Sequence, residues 1–270
     1  VNILLSNINF SLEKIQELKT DFMFKVTSNN CIEFVDVYFK YPGGSEYALK
    51  NINLKIQGNE NLAIVGLNGS GKTTLIKLLL RFYAPTKGKI LFNGEDIQRL
   101  DILEYISLFS ATFQDFKMFA YTIRENLIFD NTVESNNISK MINSAKYLGV
   151  DEFIDKLPNK YEEFYSKLFD ESGIDLSGGQ QQKIALARMH IKESIIYILD
   201  EPTYALDPIS EYDLYNKLKE ITHKKATIFI SHRMSSAKLC DRILVVNDGE
   251  IAENGNFNEL INADGLFSLL

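Results

Sequence analysis

This sequence predicts an α/β fold, a mainly parallel sheet with helices on both faces. Two observations carry that expectation. Short unbroken apolar runs, Leu62–Val65, Ile195–Leu199 and Thr227–Ile230, have the length of strands buried on both sides, and stretches of helical periodicity lie between them. A glycine-rich loop starting at Gly66 follows the first run directly and opens a helical segment, Thr74–Phe82.

Taken in chain order, residues 1 to about 24 read as an amphipathic helix, with Leu5, Ile8, Leu12, Ile15, Leu18 and Phe22 recurring every three or four positions. Thr27-Ser28-Asn29-Asn30 breaks the pattern as a linker. Ile32–Phe39 and Ala48–Ile56 alternate apolar and polar, as one-sided strands do, and Tyr41-Pro42-Gly43-Gly44 is the turn between them. They predict an antiparallel β unit ahead of the parallel sheet. Residues 122–192 are mostly helical by pattern and interrupt the alternation of strands; Asn131–Asn137 reads as a polar loop.

Composition narrows the class. The 270 residues carry 29 basic and 36 acidic side chains, a formal charge of −7, and 45% of them are hydrophobic. A chain of this size buries a substantial core without covalent staples. Two cysteines, Cys31 and Cys240, are too few for a disulfide framework and point to a reducing compartment. No uncharged apolar run approaches the roughly 18 residues needed to span a bilayer. The acidic balance argues against a protein that grips phosphate backbones, so no nucleic-acid partner is expected. By these measures the chain is soluble and cytosolic. Its first residue, Val1, is not Met, and it ends on the apolar Leu266-Phe267-Ser268-Leu269-Leu270; both ends read as those of a piece cut from a longer polypeptide.

The chemistry begins at Gly66-Leu67-Asn68-Gly69-Ser70-Gly71-Lys72-Thr73, followed by Thr74. This satisfies G-x-x-x-x-G-K-[ST] between a buried strand and a helix, the setting of a phosphate-binding loop. Glycines let the backbone wrap an anion and turn its N–H groups inward, and the following helix start adds more donors. Lys72 supplies a point charge for β- and γ-phosphates, and the Thr73 hydroxyl is a ligand for Mg²⁺. A second apolar strand delivers Asp200 and Glu201 to the carboxyl edge of the sheet. There Asp200 suits a metal, and Glu201 suits the activation of water. Alone, that pair would equally be a solvated strand end. A third element, Leu176-Ser177-Gly178-Gly179-Gln180, opens the helical Gln181–Ile191 with an N-cap serine and exposed amides. It is a second phosphate-binding surface, far from the first in the chain, and such spacing makes sense if it serves a nucleotide held by another copy.

These three elements together resemble the ATP-binding-cassette (ABC) family, whose signature is LSGGQ, and the resemblance covers about residues 31–270. It implies a P-loop NTPase core of mainly parallel sheet flanked by helices, an antiparallel β subdomain, and a helical signature subdomain at about 118–192. Gln114 resembles the Q-loop glutamine that ligates Mg²⁺ and senses the membrane domain. Asp207 matches the D-loop that crosses the dimer interface, and His232 matches the switch histidine on the γ-phosphate. Tyr41 resembles the aromatic residue that stacks on adenine, although a tyrosine there also fills a turn. Glu171 sits where exporters contact the coupling helices of the membrane domain. His190 and His223 match nothing. Departures are small: Gln181-Gln182-Lys183 replaces arginines common in relatives, which would leave the helix less basic near the nucleotide, and Tyr204 replaces a serine before the D-loop.

What the resemblance implies is an ATP-binding and hydrolysing domain that dimerises around two Mg-ATP, as a homodimer or heterodimer. ATP and Mg²⁺ lie between the phosphate loop (Gly66, Asn68, Gly69, Ser70, Gly71, Lys72, Thr73, Thr74) of one copy and Ser177, Gly178, Gly179 and Gln180 of the other. Glu201, His232 and Lys72 would be catalytic, and Thr73, Gln114 and Asp200 would hold the metal. Residues 1–30 resemble the cytoplasmic end of the last membrane helix in an exporter whose membrane and ATPase domains share one polypeptide. The parent protein would then place this domain at the cytoplasmic face of the cell membrane. Phe113-Gln114-Asp115-Phe116 with Thr122-Ile123-Arg124-Glu125-Asn126 resembles bacterial peptide and bacteriocin exporters. The alternative is a non-transport ABC ATPase acting on DNA or ribosomes. Against it stand the absence of long heptad repeats between phosphate loop and signature, and the presence of one cassette rather than two.

Overall fold

The computed structural model describes residues 30–128, 135–168, 171–192, 194–204, 208–223, 225–231, 237–238 and 240–269. The helix expected at residues 1–24 lies outside them. The chain opens with β1 (Cys31–Phe39) and β2 (Leu49–Gln57), which pair antiparallel with Ile32 opposite Ile56 and Phe34 opposite Leu54. In β2 the residues Ile52, Leu54 and Ile56 are buried while Asn51, Asn53 and Lys55 are exposed, the alternation of a one-sided strand. The turn between them is closed by the Gly44 N–H on the Tyr41 carbonyl at 2.9 Å. With β4 (Lys87–Phe92) and the short β5 (Glu95–Asp96) they form a four-stranded antiparallel sheet in the order β2-β1-β4-β5.

The second sheet has six strands, ordered β10-β9-β3-β8-β7-β6. Five of them, β3 (Asn61–Val65), β6 (Phe109–Thr112), β7 (Ile196–Asp200), β8 (Ala226–Ile230) and β9 (Arg242–Asn247), run parallel. The last strand, β10 (Glu250–Gly255), adds an antiparallel edge. Every residue of β7 and β8 is buried, as expected of strands covered on both faces.

Because side chains alternate across a strand, these strands feed two cores. Leu62, Ile64, Ile196, Ile198, Ile228, Ile230 and Leu244 pack with the antiparallel sheet and with Leu75, Ile76, Leu78 and Leu79 of α1 (Lys72–Leu79). Ala63, Val65, Tyr197, Leu199, Phe229, Ile243 and Val245 face the other way. Their covering comes from α3 (Ile123–Leu127), α4 (Ser135–Tyr147), α5 (Asp151–Ile154), α6 (Gly178–Ile191), α7 (Pro208–Ile221) and α8 (Phe257–Ile261). A further helix, α2 (Ile102–Ser107), leads into β6. Helix α1 begins two residues earlier than its periodicity suggests, directly at the glycine loop, and ends before Arg81, whose φ of 57° takes the chain out of the helix.

Candidate active site

The phosphate loop is shaped by what surrounds it. Gly66 has φ of 146°, and a side chain there would collide with the Val246 carbonyl of β9. The loop is tied down further along, where Gly249 N–H donates to the Ser70 carbonyl at 2.9 Å and Ser70 N–H to the Leu67 carbonyl at 3.2 Å. Gly69, at φ 81°, faces open space, with nothing within 4 Å of where its side chain would start. The Ser70 hydroxyl is buried without a hydrogen-bond partner, and the N-cap of α1, Gly71, offers no side-chain cap to the first helical N–H groups. A concave loop with open space above it, an orphaned hydroxyl and uncapped amides fits an anion with several oxygen acceptors.

Around that loop the fold gathers Asn68, Gly69, Gly71, Lys72, Thr73, Thr74, Gln114, Asp200, Glu201 and Ile230 on one cavity of ≈ 160 Å³. Lys72 Nζ donates to the Gly66 and Leu67 carbonyls at 2.7 and 2.8 Å. Burial pushes its ammonium below the usual lysine range, while Glu201 and Asp200 work the other way. Asp200 ends β7, and its carboxyl is pushed up to about 6 by burial, with Glu201 adding to the rise, Lys72 opposing it and Asp115 adding again. Burial beside a second carboxylate is a setting in which a bound cation would offset the charge. The oxygen donors that share the cavity, among them two threonine hydroxyls, a glutamine amide and two carboxylates, are of the hard kind that Mg²⁺ takes.

Glu201 follows Asp200 with φ of 48°, so the chain turns sharply at the strand end and the two carboxylates project differently. Its N–H donates to the Ile230 carbonyl at 2.9 Å, and its carbonyl accepts from Gln182 Nε2 at 3.3 Å. Tyr41 stands beside the loop. Its hydroxyl is 2.9 Å from Thr74 Oγ1, its ring meets Phe39 and Tyr83 edge-on at 4.9 and 5.3 Å, and Lys77 lies over it.

The Ser177–Gln180 segment is not brought into this cavity. Ser177 and Gly178 are exposed, and Ser177 closes a capping box with Gln180: its N–H donates to Gln180 Oε1 at 2.9 Å, and its hydroxyl accepts from Gln180 N–H at 3.3 Å. Gln182 is 1% exposed and turned toward Glu201. Lys183 pairs with Glu152 at 3.1 Å. Glu171 and His223 are exposed, and His190 is partly buried, with its Nδ1 3.1 Å from Ser144 Oγ. Asp207 and His232 lie outside the described residues; Ile230, two positions before His232, lines the cavity. Sequence reasoning missed the Gln182 contact and the influence of Asp115 on Asp200. The signal available for the first was an amide at a core-facing position of α6.

A family model described as ABC transporter matches residues 49–204. Among known proteins, the subtilin transport ATP-binding protein SpaT of Bacillus subtilis is 41% identical over 87% of this chain and 38% of its own length. The leukotoxin translocation ATP-binding protein LktB of Mannheimia glucosida is 38% identical over 88% of the chain and 33% of its own. Among solved structures, a bacterial Atm1-family ABC exporter with ATP bound superposes with a TM-score of 0.83 at 31% identity, over 91% of this chain and 42% of that one. The chain thus spans well under half the length of each of these relatives.

Proposed function

This chain belongs to the ABC transporter family, and on that premise we propose that it binds and hydrolyses ATP with Mg²⁺ as one of two paired domains that power export across a membrane. The observation that carries the reading is one cavity in which Lys72 and Thr73 of the phosphate loop meet Gln114, Asp200 and Glu201 from two distant strand ends.

In this reading the loop amides around Gly66, Asn68, Gly69, Ser70 and Gly71, with those at the start of α1 through Thr74, receive the phosphates. Lys72 exchanges its two loop carbonyls for β- and γ-phosphate oxygens. Tyr41, already braced by Phe39 and Tyr83, offers a ring to adenine. Thr73, Gln114 and Asp200 would hold Mg²⁺, which when bound offsets phosphate charge. Glu201 takes the proton of a water whose oxygen attacks the γ-phosphorus, while the bond to the ADP oxygen breaks. His232 and Lys72 steady the charge on the γ-phosphoryl group. Ser177, Gly178, Gly179 and Gln180 complete the site of a second ATP-binding domain, identical or homologous, and Asp207 is assigned to the contact between the two.

Export at the cytoplasmic face of a membrane is supported by the names of the relatives, which include subtilin transport, leukotoxin translocation and an ABC exporter. Their greater length leaves room for a transmembrane domain on the same polypeptide, with residues 1–30 as its approach to a cassette over 31–270 and a helical subdomain at about 118–192. Among the described residues no helix is long and apolar enough to cross a membrane. A groove of ≈ 700 Å³ beside Gln114, lined by Phe109, Phe113, Phe116, Phe119 and Arg188, suits a segment of that membrane partner. Glu171, exposed on the helical side, is assigned to the same contact. The relatives' names favour an exporter over an ATPase working on DNA or ribosomes, and subtilin transport and leukotoxin translocation among them agree with the bacterial peptide and bacteriocin exporter branch.

The test is a pair of variants assayed for nucleotide binding and phosphate release. Glu201→Gln is expected to bind Mg-ATP as the wild type does and to lose at least about 100-fold in turnover. Lys72→Ala is expected to weaken ATP binding at least about tenfold. Wild-type turnover in the first or unchanged affinity in the second contradicts the reading.

A further inference from the structure

The N-terminal half of α6 points two ways. Ser177 and Gly178 are open to solvent at its start, whereas Gln182, on the same helix about one and a half turns later, is 1% exposed. A glutamine amide is costly to bury unless it is hydrogen-bonded, and Gln182 Nε2 donates to the Glu201 carbonyl at 3.3 Å. The peptide it reaches is in an uncommon state. Glu201 has φ of 48°, a region a glutamate enters only when its surroundings hold it there. The sheet holds one side, through the Glu201 N–H on the Ile230 carbonyl at 2.9 Å. On the other side the Glu201 carbonyl receives Gln182 and the Tyr204 N–H, the latter at 3.3 Å. Because the Glu201 side chain springs from between these two gripped groups, a small tilt of either re-aims its carboxylate in the cavity.

We propose that Gln182 is the positioning residue for Glu201, and that through it the aim of this carboxylate follows the position of the signature end of α6. The proposal rests on the reading of Glu201 as the base and goes beyond it. Further along the same helix, Lys183 pairs with Glu152 and Arg188 Nε donates to the Asn126 carbonyl at 2.8 Å, which fasten α6 to the helical layer. Gln182 fastens it to the hydrolytic edge of the sheet. A nucleotide of the second domain pressing on Ser177–Gln180 therefore acts along one rigid helix on this chain's own Glu201. Each of two paired sites would thereby sense the occupancy of the other, by a contact inside a single chain.

The test uses the purified chain with two substitutions. Gln182→Met keeps length and bulk but removes the donor. It is expected to lower kcat about tenfold while KM for Mg-ATP and the thermal midpoint stay near wild type, and to cause no further loss when added to Glu201→Gln. Gln182→Glu restores a donor only when protonated, so its kcat relative to wild type is expected to rise as pH falls from about 8 to about 6. Full-speed Gln182→Met, a loss that multiplies with that of Glu201→Gln, or a flat ratio in Gln182→Glu overturns the proposal. If Gln182→Met fails to fold, the pH profile of Gln182→Glu decides alone. Wild-type turnover in Glu201→Gln would remove the base reading and the proposal together, whereas slow Glu201→Gln beside full-speed Gln182→Met removes the proposal only.

Discussion

Asp200 is the residue at which structure and chemistry pull against each other. A carboxyl pushed up to about 6 from 3.8 favours its proton in the folded chain, so without nucleotide its contribution to stability is complete below about pH 4 and is lost as pH rises through 6. Asp200→Asn is therefore expected to raise the thermal midpoint of the nucleotide-free chain at pH 7.5 by about 3 °C, and to flatten its fall between pH 4 and 7. The same variant should lose the additional stabilisation that Mg²⁺ gives over ATP alone. A lower midpoint at pH 7.5, measured by scanning calorimetry, would contradict this account of the site. Lys72, Asp200 and Glu201 were legible in the sequence because each follows from a local rule, a glycine loop before a helix or a carboxylate at the end of an apolar strand. Gln182 was not, since what gives it meaning is the left-handed turn at Glu201, which brings that carbonyl against α6.

At the scale of elements, the unit formed by β3, the phosphate loop and α1 depends on how closely β9 approaches. Gly66→Ala would force a methyl group against the Val246 carbonyl at a φ that alanine avoids. It is expected to cost about 3 kcal/mol in urea denaturation and to abolish ATP binding, and a loss of binding without loss of stability would count against that packing. Strands β3, β7 and β8 were legible as apolar runs, and β1 and β2 as alternating ones. The others were hidden for physical reasons. β4 begins Lys87-Gly88-Lys89 with three exposed positions, and β10 is an edge strand that buries little. β6 lies inside the uncharged stretch Tyr105–Gln114, where the end of α2 merges with the start of the strand and no single period prevails. The helical region 122–192 was right in kind, but 163–168 and 171–177 are irregular, held by bridges of Thr122 with Phe164 and of Tyr165 with Ile174 that depend on distant partners.

At the scale of the whole molecule the central claim is that one chain holds two half-sites, a phosphate cavity and a signature surface, which meet only across a pair. The sequence suggested this through the distance between Gly66 and Ser177, and in the structure the Ser177–Gln180 segment is absent from the lining of the phosphate cavity and capped on itself. Complementation tests the claim most directly. Ser177→Arg spoils the signature and Lys72→Ala spoils the phosphate loop, so chains of either kind alone form no intact site. An equimolar mixture forms one intact site in each mixed pair. The ATPase rate of that mixture is predicted to rise clearly above that of either variant alone, with about a quarter of wild type, the share expected from random pairing of independent sites, as its ceiling, because the chain that holds the intact phosphate loop has no nucleotide pressing on its own Ser177–Gln180. A mixture no more active than the mean of its two components would contradict assembly across the pair.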